Sequence, residues 1–115
     1  MTLKSINPYN GELIAEYQDF TADKTNKAIE KAFVQWEHWR STPFNSRKNL
    51  LKEVSRLLIE RKHEYGKLIS LEMGKVLHEA IAEVEKSARV CDYYAENAER
   101  FLQDEQVATK YLKAK

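Results

Sequence analysis

One apolar stripe constrains this chain more than any other feature. Leu77, Ala80, Ile81, Val84, Ala88, Cys91, Ala95, Ala98 and then Phe101 or Leu102 recur at steps of three and four. Such a period places them along one face of an α-helix of about 25 residues. A helix that long must lay its stripe against other elements, and its many alanines let a neighbouring backbone come close. The rest of the chain therefore has to supply what that face rests on.

Upstream, the same period recurs in shorter pieces. Thr21 is an acceptable N-cap, with Asp23 in the first turn where its charge suits the helix dipole. Ile29, Ala32, Phe33, Trp36 and Trp39 or Arg40 carry a first helix toward Ser41-Thr42-Pro43, which ends it because the residue before proline avoids the helical region. Leu50, Leu51, Val54, Leu57 and Leu58 predict a second helix over about 46–62. After His63 the pattern changes phase, and Tyr65, Leu68, Ile69 and Met73 predict a short third helix. Gly74 stands just past its end, where a left-handed residue costs glycine nothing.

Residues 1–18 read differently. Leu3 to Asn7 and Glu12 to Gln18 are short strand candidates flanking Asn7-Pro8-Tyr9-Asn10-Gly11. Pro8 presets φ for a turn, and Asn10-Gly11 accepts the positive φ that such turns demand. A lone hairpin is marginal in water, so this one is expected to rest on something larger. The expected organisation is a hairpin over 1–18, a helical segment over 19–102, and a linker or strand start over 103–115. The class is mainly α, a hairpin plus three to four helices.

Charge and composition narrow the function classes. The chain has 19 basic against 18 acidic residues, a formal net charge of +1, with the two signs interleaved. That gives no global pull toward nucleic acid or an anionic membrane. No apolar run approaches the roughly 20 residues that span a bilayer, and the opening Met1 to Ser5 lacks the apolar core of a secretory signal. A single cysteine, Cys91, suits a reducing cytoplasm.

The residues that could carry chemistry do not assemble into a set. Cys91 sits on the long stripe and is expected to act as a small buried hydrophobe, with no helix N-terminus or histidine placed to activate it. His38, His63 and His78 share neither a face nor a metal-ligand spacing and are expected on the surface. Glu79, Glu83, Lys86 and Arg89 form a solvated face with i,i+3 and i,i+4 pairs. Phe33, Trp36 and Trp39 could stack bases or sugars, but at helical spacing they are expected in a core. Gly11, Gly66 and Gly74 stand too far apart for a dinucleotide fingerprint or a P-loop.

Taken in order, several phrases resemble one family. Ser5-Ile6-Asn7-Pro8-Tyr9-Asn10-Gly11-Glu12 is similar to the "NPxxGE" hairpin that opens many aldehyde dehydrogenases. Ala32-Phe33 with Trp36 and Trp39-Arg40 resembles the end of their first helix, and Arg47 with Leu50-Leu51 the start of the second. Leu71-Glu72-Met73-Gly74-Lys75 resembles the stop before the family's long helix. Glu83 through Glu96 is similar to the "EV-K-SA" and "CD-aromatic-YAE" phrases of the succinate-semialdehyde dehydrogenase branch. The resemblance covers about residues 5–102 and departs at Val76, where the family usually has proline.

The resemblance implies a parent of several hundred residues that oxidises an aldehyde to its acid with NAD or NADP. It also implies that the nucleophilic cysteine, the general-base glutamate, the "PWNFP" asparagine and the glycine-rich cofactor loop lie in the remainder of that parent. Cys91 matches a helix motif and not the surroundings of the catalytic cysteine. No catalytic, cofactor-binding or metal-binding residue is therefore carried onto this chain, which is expected to be inactive and to bind no cofactor alone. Its expected partners are the remainder of the parent enzyme and further copies, as a homo-oligomer. The alternative is a free-standing helical interaction module, against which the hairpin argues.

Overall fold

The computed structural model describes residues 2–108. Two strands, β1 (Thr2–Ile6) and β2 (Leu13–Gln18), are followed by α1 (Ala22–Trp39), α2 (Phe44–Glu60), α3 (Lys62–Met73) and α4 (Leu77–Phe101). The part of the 103–115 expectation beyond residue 108 lies outside the described residues. Gln103 to Gln106 are non-helical, and Val107 forms an isolated β-bridge.

β1 and β2 pair antiparallel, with Leu3 opposite Tyr17 and Ser5 opposite Ala15, and a bulge between Ser5 and Ile6. The turn is held by its own side chains. Asn7 Oδ1 accepts from Tyr9 N at 2.9 Å, and Asn10 Oδ1 accepts from Glu12 N at 3.0 Å. Gly11 N donates to Asn7 O at 2.8 Å and takes φ +75°, which glycine adopts without strain. Asn10 stays at negative φ, so the left-handed conformation expected of Asn10-Gly11 falls on Gly11 alone. The hairpin touches α3 and its cap at single points and lies broadly against no helix. Ser5 Oγ donates to Glu72 Oε1 of α3 at 2.6 Å, and a β-carbon at Gly74 would stand 3.2 Å from Pro8 Cγ.

Thr21 caps α1 by accepting from Lys24 N at 3.2 Å. α2 begins at Phe44, two residues before the expected start. Pro43 holds an extended backbone, and its carbonyl accepts from Ser46 and Arg47, so the helix forms as soon as proline is passed. α2 and α3 are separated only at Arg61, and α3 begins at Lys62 rather than near Tyr65. Gly74 closes α3 at φ +70°, donating to Ser70 O.

α4 is the spine. α2 and α3 both pack along it and barely touch each other. The interior is built from small side chains: Ala80, Val84, Ala88 and Ala95 are buried, with Gly66 and Ser55 from the facing helices. Cys91, Ile81 and Ala98 on the same stripe are half-buried, while Leu77, Phe101 and Leu102 at its ends are exposed. No large side chain is fully buried among the described residues.

α1 stands apart. All its residues are exposed, and it packs extensively against no other element. Phe33, Trp36 and Trp39 are 57%, 48% and 40% exposed, which corrects the expectation that they lie in a core. The periodicity was real, but no second layer covers that face. The radius of gyration is 20.5 Å, against about 13 Å for a compact chain of this length. The accessible surface is 9968 Å², against roughly 6,500 Å² for a folded protein of this mass.

Candidate functional site

Two grooves carry the polar and aromatic groups that the helices leave in reach of solvent. The first, about 860 Å³, lies along one side of α4 and is lined by Lys75, Glu79, Glu83, Lys86, Ser87 and Cys91 among others. Glu83 accepts from Lys75 Nζ, a residue ahead of the helix entry, so its principal partner is not Lys86 as the expected i,i+3 pairing had it. The hydrogen bond to Lys75 is the main cause holding the Glu83 carboxyl below its ordinary value, and the Glu83 bond likewise raises Lys75. Two residues further along α4, Lys62 Nζ of α3 donates to Glu85 Oε1 at 2.6 Å and lowers that carboxyl too. Both pairs tie α4 to the segment before it.

Cys91 borders this groove half-buried, partly open rather than fully interior as expected. His38, His63 and His78 are all exposed. Among the described residues no three histidine, cysteine or carboxylate groups gather as a metal set. No helix among them is long and apolar enough to cross a membrane.

The three glycines are each committed to structure: Gly11 to the hairpin turn, Gly74 to the α3 cap, and Gly66 to a close helix crossing. None of the three stands in a phosphate-cradling loop.

The second groove, about 650 Å³, is apolar. It lies between α2 and the C-terminal half of α4, next to the α1–α2 turn, with Trp39, Phe44, Leu50, Leu51, Tyr94 and Leu102 in its walls. Arg47 governs its rim. Its Nε donates to Thr42 O at 3.0 Å, and Nη2 donates to Trp39 O at 2.9 Å and Arg40 O at 3.0 Å. The guanidinium also lies 5.4 Å from the Trp39 ring. Sequence reasoning gave Arg47 no structural role. The only signal was an arginine four residues past Pro43, in reach of the carbonyls that a proline-ended helix leaves unpaired.

Inside the bundle, Ser55 is buried and donates to Asp92 Oδ2 at 2.8 Å, joining α2 to α4. The arrangement as a whole is a scaffold: one small-residue spine, two ion-paired junctions, an apolar groove and an uncovered helix.

Comparison with known proteins bears on what that scaffold belongs to. The model of the aldehyde dehydrogenase family matches residues 1–114. A probable NADP(+) succinate-semialdehyde dehydrogenase of Synechocystis is 36% identical over 109 residues, which make up 95% of this chain and 24% of that protein. The mitochondrial succinate-semialdehyde dehydrogenase of Arabidopsis thaliana is 40% identical over 103 residues, 90% of this chain and 20% of that protein. Among solved structures, succinic semialdehyde dehydrogenase of Streptococcus pyogenes in complex with NADP+ superposes with a TM-score of 0.88 at 28% identity. That match covers 96% of this chain and 24% of the other. The chain spans about a quarter of the length of the relatives it matches.

Proposed function

This chain belongs to the aldehyde dehydrogenase family, and we propose that it is the N-terminal quarter of an NAD(P)-dependent succinate-semialdehyde dehydrogenase. The observation that carries this is its open form. The chain leaves about half as much surface again exposed as a folded protein of its mass. Yet it superposes on a quarter of a solved family member at a TM-score of 0.88. A segment shaped by contacts with a larger body has this character, and a free-standing helical module does not.

In the parent, the hairpin and outer helices flank the cofactor-binding domain, and their task is to cover and position it. The nucleophile, general base and cofactor loop belong to the remainder of the polypeptide, which is the segment's principal partner. The parent acts as a homo-oligomer in the cytoplasm, taking succinate semialdehyde or a similar short aldehyde and passing hydride to NAD or NADP. The NADP(+) named for the Synechocystis relative supports that pairing. Within this chain Cys91 serves the long helix, consistent with its place on the stripe beside buried Ala88 and Ala95.

The test is reduction of NAD+ and NADP+ by the 115-residue chain with succinate semialdehyde and short aliphatic aldehydes. No turnover is expected. Turnover lost on Cys91→Ser would overturn both the segment reading and the structural role given to that thiol.

A further inference from the structure

We propose that two copies of this chain pair by exchanging arms, the α1 helix of each lying in the apolar groove between α2 and α4 of the other. This goes beyond the proposed function. In a longer polypeptide the same faces meet other parts of the chain, whereas between two 115-residue chains each covers the other's.

Three observations converge on a second copy as the occupant. The first is the arm. Ile29, Phe33 and Trp36 fall at i, i+4 and i+7, on one face of α1. Ile29 is 63% exposed, and Phe33 and Trp36 hold each other with ring centroids 5.6 Å apart. The Arg40 guanidinium lies 5.0 Å over the Trp36 ring, so the groups on this face contact one another while no other element covers them.

The second is the groove. Its wall along α4 runs from Tyr94 to Leu102 just past the helix end, an interval of eight, against seven from Ile29 to Trp36. At the helical rise these are about 12 Å and about 10 Å, so the stripe fits within the groove. An amphipathic helix in an apolar groove is a recurrent mode of recognition.

The third is the hinge. Arg47 fixes the turn between α1 and α2 with three hydrogen bonds to its carbonyls. The arm is thereby held away from its own groove, and folding back would break those bonds. A partner's arm meets no such obstacle. The exchange is reciprocal, so the pair closes on a two-fold axis and does not propagate. The surplus exposed surface exceeds the roughly 1,200–2,000 Å² that a stable interface buries, and a net charge of +1 sets no repulsion between copies.

The experiment is sedimentation equilibrium of the 115-residue chain at micromolar concentration, for the wild type, Trp36→Glu in the arm, and Leu50→Glu in the groove. The wild type is expected as a dimer, and each variant to weaken it about a thousandfold, because the two-fold pair loses the same central anchor twice, about thirtyfold each time. An equimolar mixture of the two variants is expected to associate more tightly than either alone, because one arm and one groove remain intact. A monomeric wild type would overturn the proposal. So would a Leu50→Glu chain that dimerises like the wild type, or a mixture no tighter than its components. Both positions are about half exposed, and far-ultraviolet circular dichroism checks the fold of each. Should Trp36→Glu unfold, Ile29→Lys at a more exposed position of the arm carries the same expectations.

Discussion

Gly66 of α3 lies so close to α4 that a β-carbon built on it would stand 2.6 Å from Ile81 Cγ1 and 3.1 Å from Ile81 N. The side chain of Ile81 could move, but its backbone could not move without shifting the spine of the molecule. Gly66→Ala is therefore expected to force α3 away from α4, at about 1–3 kcal/mol, the usual range for overpacking. Thermal melting followed by circular dichroism checks this. Unchanged or raised stability, as helix propensity alone would give for glycine to alanine, would show that the crossing is looser than described.

The Ser55–Asp92 bond predicts an asymmetry between its two partners. Ser55 is buried, whereas Asp92 is exposed and can be rehydrated when its partner is lost. Asp92→Ala strands a buried hydroxyl and should cost about 1–3 kcal/mol, while Ser55→Ala should cost about 1 kcal/mol or less. Denaturant unfolding of the two variants side by side checks the order, and the reverse order would contradict the assigned burial.

How much of this was legible in the sequence depends on how local each cause is. The Asn7 to Glu12 turn, the Thr21 cap, the Gly74 stop and the 25-residue α4 rest on neighbours a few residues away, and residue type alone reveals them. The exposure of Trp36 and Trp39 was not legible, because periodicity shows which face is apolar and not whether anything lies against it. Arg47 and the Lys75–Glu83 pair were missed for a related reason: their partners are set by how a proline turn and a helix entry bend the chain. What the sequence did carry about function was the set of family phrases spread along the chain, which the family match over residues 1–114 bears out.

Acid should loosen both junctions of α4. Glu83 and Glu85 have their carboxyls lowered below the ordinary value of 4.5, chiefly by hydrogen bonds from Lys75 and Lys62. A carboxyl lowered by folding contributes its stability above that ordinary value and loses it as pH falls through the folded one. Stability should thus be level through neutral pH with respect to these pairs and fall below about pH 4.5. Replacing both with glutamine should flatten that acid limb while lowering the neutral plateau. An acid limb unchanged in the double variant would show that neither pair matters.

Arg47→Lys keeps the charge but loses the planar fork that reaches three carbonyls. The α1–α2 angle should become variable, with little change in helix content. Spin labels on exposed positions of α1 and α2 would report it as a broadened distance distribution. A distribution as narrow as in the wild type would show that the turn is set by Pro43 alone.

The central claim is that this chain is a working quarter of an aldehyde dehydrogenase, and a graft tests it most directly. The matched quarter of the Synechocystis succinate-semialdehyde dehydrogenase, 36% identical to this chain, is replaced by residues 2–108, and NADP+-dependent oxidation of succinate semialdehyde is measured. The account predicts a soluble chimera that keeps activity within roughly tenfold of its parent, a loss of no more than about 1.4 kcal/mol in the barrier. A chimera that folds, by its circular dichroism and cooperative melting, yet oxidises no succinate semialdehyde would contradict it.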